Sequence, residues 1–118
     1  MPVPPQRLKR RAEFLRVASK GRKAPMPGVV LQALKRDDDA PARIGFTVTK
    51  KVGNAVVRNR TRRRLKEAAR LLLAERELGG RALVGVDLVL IGRDGTRKRD
   101  FPALQRDIAR ALEKAGVT

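Results

Sequence analysis

Residues 43–70 read RIGFTVTKKVGNAVVRNRTRRRLKEAAR, and their periodicity changes halfway. From Arg43 to Lys51 the residues alternate, with Ile44, Phe46 and Val48 on one side and Gly45, Thr47 and Thr49 on the other. That is the period of a strand with one face on a core. Gly53 and Asn54 break it, and Asn54 is a good N-cap for a long helix. From Ala55 to about Leu78 the apolar residues recur at helical spacing, and Gly79 and Gly80 stop the helix. The small residues beside the apolar side of the strand have two readings: an ordinary solvated face, or the floor of a groove that admits something wide.

Further along the chain, VGVDLVLIG (residues 84–92) is apolar on both faces apart from Asp87, as a central strand would be. Strand, helix and strand then form a crossover unit. RDGTRKRD (residues 93–100) reads as a basic loop, and a last helix from Phe101 to about Lys114 aligns Phe101, Leu104, Ile108, Leu112 and Ala115 on one stripe before Gly116. Upstream, VVLQALKR (residues 29–36) reads as a strand and RDDDAPA as the turn after it. From Arg7 to about Lys20 a basic segment with Leu8, Phe14, Leu15 and Val17 suits a short helix ended by Gly21. Residues 1–6, MPVPPQ, read as a flexible proline-rich tail. The expected fold is α+β, in the order helix, strand, strand, helix, strand, helix, with residues 7–118 forming one domain.

The chain has 118 residues, 29 Lys and Arg against 12 Asp and Glu, and a formal net charge of +17. A fold so charged repels itself unless counter-charge is near, so the expected partner is a polyanion. No apolar run approaches the ~20 residues of a spanning helix and no secretory pattern opens the chain, which points to nucleic acid rather than membrane and to the cytoplasm. Cysteine and histidine are absent. Disulfides, zinc fingers, thiol nucleophiles and imidazole bases are thereby excluded. Asp37, Asp38 and Asp39 form the one dense acidic cluster, and consecutive carboxylates diverge, so a solvated loop is the better reading than a metal site. No catalytic residue, protein-held metal or small-molecule cofactor is expected.

Around the long helix, at ~100° per residue, Thr61, Leu65, Ala68 and Leu72 share one side. Asn59, Arg60, Arg62, Arg63, Lys66 and Arg70 lie opposite, with Arg58 and Arg64 at the borders. From Arg43 to Lys66 there are nine positive residues and no acid. Like charges three and four apart destabilise a helix by a few tenths of a kcal/mol per pair, and cations in the first turns oppose the macrodipole. Such a face is costly unless phosphate neutralises it. Asn59 sits at its centre with an amide that can donate and accept, and Lys50 and Lys51 extend the positive surface toward the helix start.

With three Phe and neither Trp nor Tyr, stacking platforms are scarce, which disfavours single-strand binders of the OB or RRM type. Strands flank the basic helix, unlike the tight two-helix unit of a helix-turn-helix DNA reader. Structured RNA fits best. Phe14 can be read as a stacking residue or as core.

The run from Lys50 to Arg63 resembles the signature of the bacterial ribonuclease P protein subunit, KK-x-G-x-A-V-x-R-N-R-x-x-R. Its fixed elements stand at Lys50, Lys51, Gly53, Ala55, Val56, Arg58, Asn59, Arg60 and Arg63. The likeness extends from RAEFLRVASKG in the first helix to the last apolar strand. It implies a mixed sheet of about four strands with three helices in the order αβββαβα, a left-handed crossover, and a short extra strand near Lys20 to Ala24.

The resemblance also implies a non-catalytic partner of a large RNA that cleaves precursor tRNA to release the 5′ leader. Mg²⁺ would be bound mainly by that RNA. Contact with the catalytic RNA would fall on Lys50, Arg58, Asn59, Arg60, Arg62, Arg63 and Lys66. The leader would lie in a separate cleft involving Phe14, Gly45, Thr47, Thr49 and Lys51. Family members often carry two further aromatics at the positions of Ala18 and Gln32, so weaker leader stacking is expected here, with Arg and Lys contacts to phosphate compensating. The rival reading is a ribosomal protein or RNA chaperone, and a DNA-binding regulator is a weaker third.

Overall fold

The strand of alternating residues and the strand that is apolar on both faces lie side by side at the centre of a five-stranded sheet in the computed structural model, which describes residues 6–117. The elements are β1 (Gln6–Arg7), α1 (Arg11–Lys20), β2 (Arg22–Met26), β3 (Val29–Lys35), β4 (Arg43–Val48), α2 (Ala55–Leu78), β5 (Val86–Gly92), α3 (Asp94–Lys98) and α4 (Phe101–Lys114). The sheet order is β1-β4-β5-β3-β2. β5 is central, as its two-sided apolarity predicts, and it pairs parallel with β4 across the α2 crossover and antiparallel with β3. The class is the expected α+β, with five strands where about four were expected and four helices where three were.

The differences have local causes. The first helix begins at Arg11 rather than Arg7, because the Glu13 carboxylate accepts from the Arg10 amide (3.0 Å) and the chain before it goes to the sheet instead. There the Gln6 amide donates to the Ala42 carbonyl (2.9 Å) and that of Leu8 to the Ile44 carbonyl (3.0 Å), forming β1 at the parallel edge of β4. Gln6, grouped with the tail in sequence, is thus strand, and the rest of the tail, residues 1–5, lies outside the described residues. The extra strand implied near Lys20 to Ala24 is β2, two residues further on, hairpinned onto β3.

β4 ends at Val48 rather than Lys51. Lys50–Val52 wind into a single 3₁₀ turn that buries Val52. β5 starts at Val86 because Gly85 turns the chain at φ +63°, against the Asp38 carbonyl. The loop after β5 contains α3, fixed by buried Thr96, whose hydroxyl donates to the Gly28 carbonyl (2.6 Å) and accepts from the Arg93 amide (2.8 Å).

Alternation along the strands divides the interior in two. Ile44, Leu88, Leu90, Leu31 and Ala33 pack beneath α2 and α4 in the main core, with Leu65, Leu73, Leu104, Ile108 and Leu112. On the other face a smaller cluster of Leu8, Val17 and Val89, with Phe14, Leu34 and Ile91, lies under α1.

Asp87 is the one charged residue of the central strand, and it is buried. Arg43 meets it with two bonds, Nε at 2.9 Å and Nη2 at 2.6 Å, and Arg36 pairs with it through Nη1. Arg43 also pairs with Glu13, so two carboxylates and two guanidinium groups join β4, β5 and α1 to the end of β3. Burial pushes the Asp87 carboxyl up, but the hydrogen bonds and charges of Arg43 and Arg36 outweigh it and hold the group below the usual carboxylate range. A depressed pKa stabilises the fold above the unfolded value and loses that contribution as pH falls through the folded one. Asp87→Asn should therefore cost about 3 kcal/mol at pH 7, because it leaves two guanidinium groups without the anion they share. In urea melts the gap to the parent protein should narrow below about pH 4, and a gap constant across that range would show that the ion pairs do not stabilise the fold.

Candidate nucleic-acid interface

Helix α2 begins where the sequence places it. The Asn54 side chain accepts from the Val57 amide (3.0 Å), satisfying one of the free donors of the first turn. Gly53 precedes it at φ +152°, and a Cβ there would also press on Val57 at 3.1 Å. Thr61, Leu65, Ala68, Ala69 and Leu73 are buried. Thr61 enters the core without an orphaned hydroxyl because it donates back to the Val57 carbonyl (2.8 Å). With that seam turned inward, Asn59, Arg60, Arg63 and Arg70 are exposed and Arg58, Arg62 and Lys66 half-buried, so the expected cationic face exists as one surface.

Its members are not equivalent. Arg62 donates to the Asn59 side-chain oxygen (2.9 Å), which leaves the Asn59 amide nitrogen to donate outward. The face thus presents donors, which suits phosphate and sugar oxygens. Arg70 is paired with Glu67 (2.6 Å). Arg64, at the border in sequence, turns inward: it donates to the carbonyls of Thr96 and Arg99 and sits 6.0 Å from the Phe101 ring centroid. It fastens α2 to α3 and α4. Burial, then the charges of Arg7 and Arg62, holds the Lys66 ammonium below the usual lysine range.

Arg7 is a contributor that sequence reasoning missed. It reads as the start of the first helix, and only the pairing of β1 with β4 carries it to Lys66. Arg97 is a second: α3 brings it to a hollow of about 320 Å³ shared with Val57, Arg60, Thr61 and Arg64. A basic loop was the available signal, and its placement depended on the Thr96 anchor. Lys50 and Lys51 are both exposed on the 3₁₀ turn between β4 and α2.

The opposite face of the sheet carries the other candidates. Gly45, Val89 and Gln32 stand in one cross-strand row, and Thr47, Ile91 and Val30 in the next. Phe14 lies directly over Gly45: a Cβ at 45 would come within 2.3 Å of its ring. The small residue is therefore there to admit Phe14, which is half-buried and shares in the cluster of Leu8, Val17 and Val89. Both readings of Phe14 meet in one position, with one part of the ring in the core and another open. Thr47, Thr49 and Gln32 are half-buried and Ala18 is exposed. The Thr49 amide still donates to the Gly92 carbonyl (3.3 Å), extending the ladder one residue. Lys51 leaves the strand with the turn, so of the five cleft candidates it is the one that does not lie on α1 or along the extended β4 segment.

No carboxylate, among the described residues, belongs to a group of three or more that could hold a metal ion. Asp38 of the acidic triplet is tied to Arg36 (3.1 Å) and accepts from the Ala40 amide (3.0 Å), as a loop residue would.

A sequence model of the family described as Ribonuclease P matches residues 3–116. The chain is 71% identical over 111 residues to the ribonuclease P protein component of Gluconacetobacter diazotrophicus, covering 94% of this chain and 91% of that one. It is 46% identical to the corresponding protein of Paramagnetospirillum magneticum, over 94% of this chain and 83% of that one. Among solved structures, the RNase P protein of Staphylococcus aureus superposes with a TM-score of 0.74 at 25% identity, covering 94% of this chain and 95% of that chain. The RNase P protein of Thermotoga maritima gives 0.71 at 26% identity, covering 92% and 96%.

Proposed function

The chain belongs to the ribonuclease P protein family, the protein component of an endoribonuclease whose catalysis is carried by an RNA subunit, and on that footing we propose that α2 holds the catalytic RNA while the open face of the sheet, bounded by α1, receives the 5′ leader of precursor tRNA. The single observation that carries this is the continuous donor surface of Asn59, Arg60, Arg62, Arg63 and Lys66 on a helix whose apolar seam is buried. Family membership leaves a ribosomal protein, an RNA chaperone or a DNA-binding regulator without support.

Each phosphate neutralised by this face releases condensed counterions and lowers repulsion within the folded RNA. Arg58, with Nε buried and without a hydrogen-bond partner, sits at its edge, and Lys50 extends it. Mg²⁺ is bound mainly by the RNA, whose phosphates are the hard oxygen ligands it prefers. The protein contributes by screening phosphate charge where the RNA holds its metal, and by positioning the leader. In the cleft, the open part of Phe14 gives a leader base one apolar surface, Thr47 and Thr49 offer hydroxyls, and Lys51 on the adjacent turn reaches toward phosphate. With Ala18 and Gln32 in place of further aromatics, leader binding leans on backbone contacts. The assembly acts in the cytoplasm.

Cleavage of precursor tRNA by the bare RNA at low Mg²⁺, with and without the protein, tests the reading. Addition of the protein should raise the cleavage rate, and no gain would refute it. Replacing both Arg60 and Arg63 by Ala should weaken binding to the catalytic RNA and reduce the slope of log K against log salt by about 2; an unchanged slope would separate those arginines from phosphate. Phe14→Ala should weaken precursor tRNA binding more than mature tRNA binding in the holoenzyme. Equal losses would make Phe14 a packing residue alone.

A further inference from the structure

A second recess lies on the other side of α2 from Arg64, between that helix and the edge strand β1. It has a volume of about 790 Å³, in the range of pockets that take a small organic ring system. Ile44, Phe46, Ala69 and Leu73 supply an apolar floor, and Arg7, Arg63, Lys66 and Arg70 stand around it. Phe46 is on the core side of β4 yet only half-buried, since the recess leaves part of the ring uncovered. Gln6 also lines it, with an amide able to donate to and accept from a base edge. Of the two carboxylates in the wall, Glu67 is engaged by Arg70; Glu77 stands a full turn beyond Leu73.

We propose that this recess is a nucleobase slot: one unstacked base of the catalytic RNA enters between β1 and α2 and lies against Phe46, with its flanking phosphates held by Arg7, Arg63 and Lys66. The proposal rests on the RNA-holding role of α2 and adds a base contact to what is otherwise a phosphate surface. Three features favour a base over other occupants. The floor is apolar and carries an aromatic, which every base can stack on whatever its identity. Its rim is cationic and shares Arg63 and Lys66 with the phosphate-facing surface, so a strand crossing α2 passes the mouth of the slot. Arg7 from β1 and Arg63 and Lys66 from α2 line the same recess, so cations from two elements are available to the phosphates on either side of an inserted base. A second copy of this chain would bring the same cations to the same mouth and repel. Folded RNA supplies unpaired bases flanked by phosphate.

Two variants test the slot in the reconstituted holoenzyme. Phe46→Leu keeps an apolar side chain and removes the stacking face. It should weaken binding to the catalytic RNA about 10-fold with the salt slope of the parent, because no charge is lost. Ala74→Cys, in a chain with no other cysteine, places a photo-crosslinker on the slot wall and should label one or two unpaired nucleotides of that RNA. Parent-like affinity in Phe46→Leu, or crosslinks from position 74 to residues 1–5 or to a second copy instead of RNA, would overturn the slot. Should Phe46→Leu fail to fold, the crosslink decides alone. The Arg60 and Arg63 double variant separates the two levels: if it loses RNA affinity while Phe46→Leu does not, the slot falls and the RNA-holding role stands, whereas if neither variant loses affinity both fall.

Discussion

A helix that carries so many like charges cannot rely on its own propensity, and α2 is held by a narrow seam against the sheet. Thr61, Leu65, Ala68, Ala69 and Leu73 form that seam, and part of what lies beneath it is Gly92, where a Cβ would meet Val48 at 3.1 Å, Thr61 at 3.4 Å and Leu65 at 3.6 Å. Small residues on both sides let the helix axis approach the strands closely, so a few apolar contacts are dense enough to offset repulsion among the arginines. Arg64 adds a polar fastening to α3 and α4. The direction in which each exposed cation points is set by that seam.

Acidic residues are distributed to serve the same end. Asp87 and Glu13 tie α1 to the sheet through Arg43. Asp107, buried on α4, accepts from the Gly28 amide (3.0 Å) and from Arg99 (3.0 and 3.1 Å), closing the β2–β3 turn over the last helix. Asp94 pairs with Arg97 and Lys98 within α3. Asp87, Glu13 and Asp107 are thus engaged with cations that build the fold, and the first half of α2 is left with positive charge unrelieved by neighbouring acids. Segregation of this kind converts an excess of basic residues into a directional surface.

Much of this was legible in the sequence. Asn54 announced the start of α2 because capping is local chemistry, and the two-sided apolarity around Asp87 located the central strand. Three members of the α2 seam, Thr61, Leu65 and Ala68, could be read from a helical wheel, whereas Leu72, placed with them, is only half-buried and Ala69 and Leu73 complete the seam. What could not be read depends on partners far along the chain. β1 has two residues and exists because β4 offers an edge. α3 requires Thr96 to find the Gly28 carbonyl. Gly45 looks like a groove floor until Phe14 is set upon it, and Arg64 looks like its neighbours until the carbonyls of Thr96 and Arg99 are in place.

β4 serves two masters on alternate residues. Ile44 and Phe46 face α2 and the recess at its side, while Gly45 and Thr47 face α1. A strand of period two cannot change length quietly: one residue inserted directly after Arg43 would turn Phe46 toward α1 and strand a glycine under α2, exchanging both surfaces at a stroke. An insertion in the exposed turn from Asp37 to Ala40 would leave the alternation of β4 intact and disturb instead the Arg36–Asp38 pair and the bond from the Gly85 amide to the Ala40 carbonyl (2.8 Å), so the same change in chain length has different consequences in two stretches only a few residues apart.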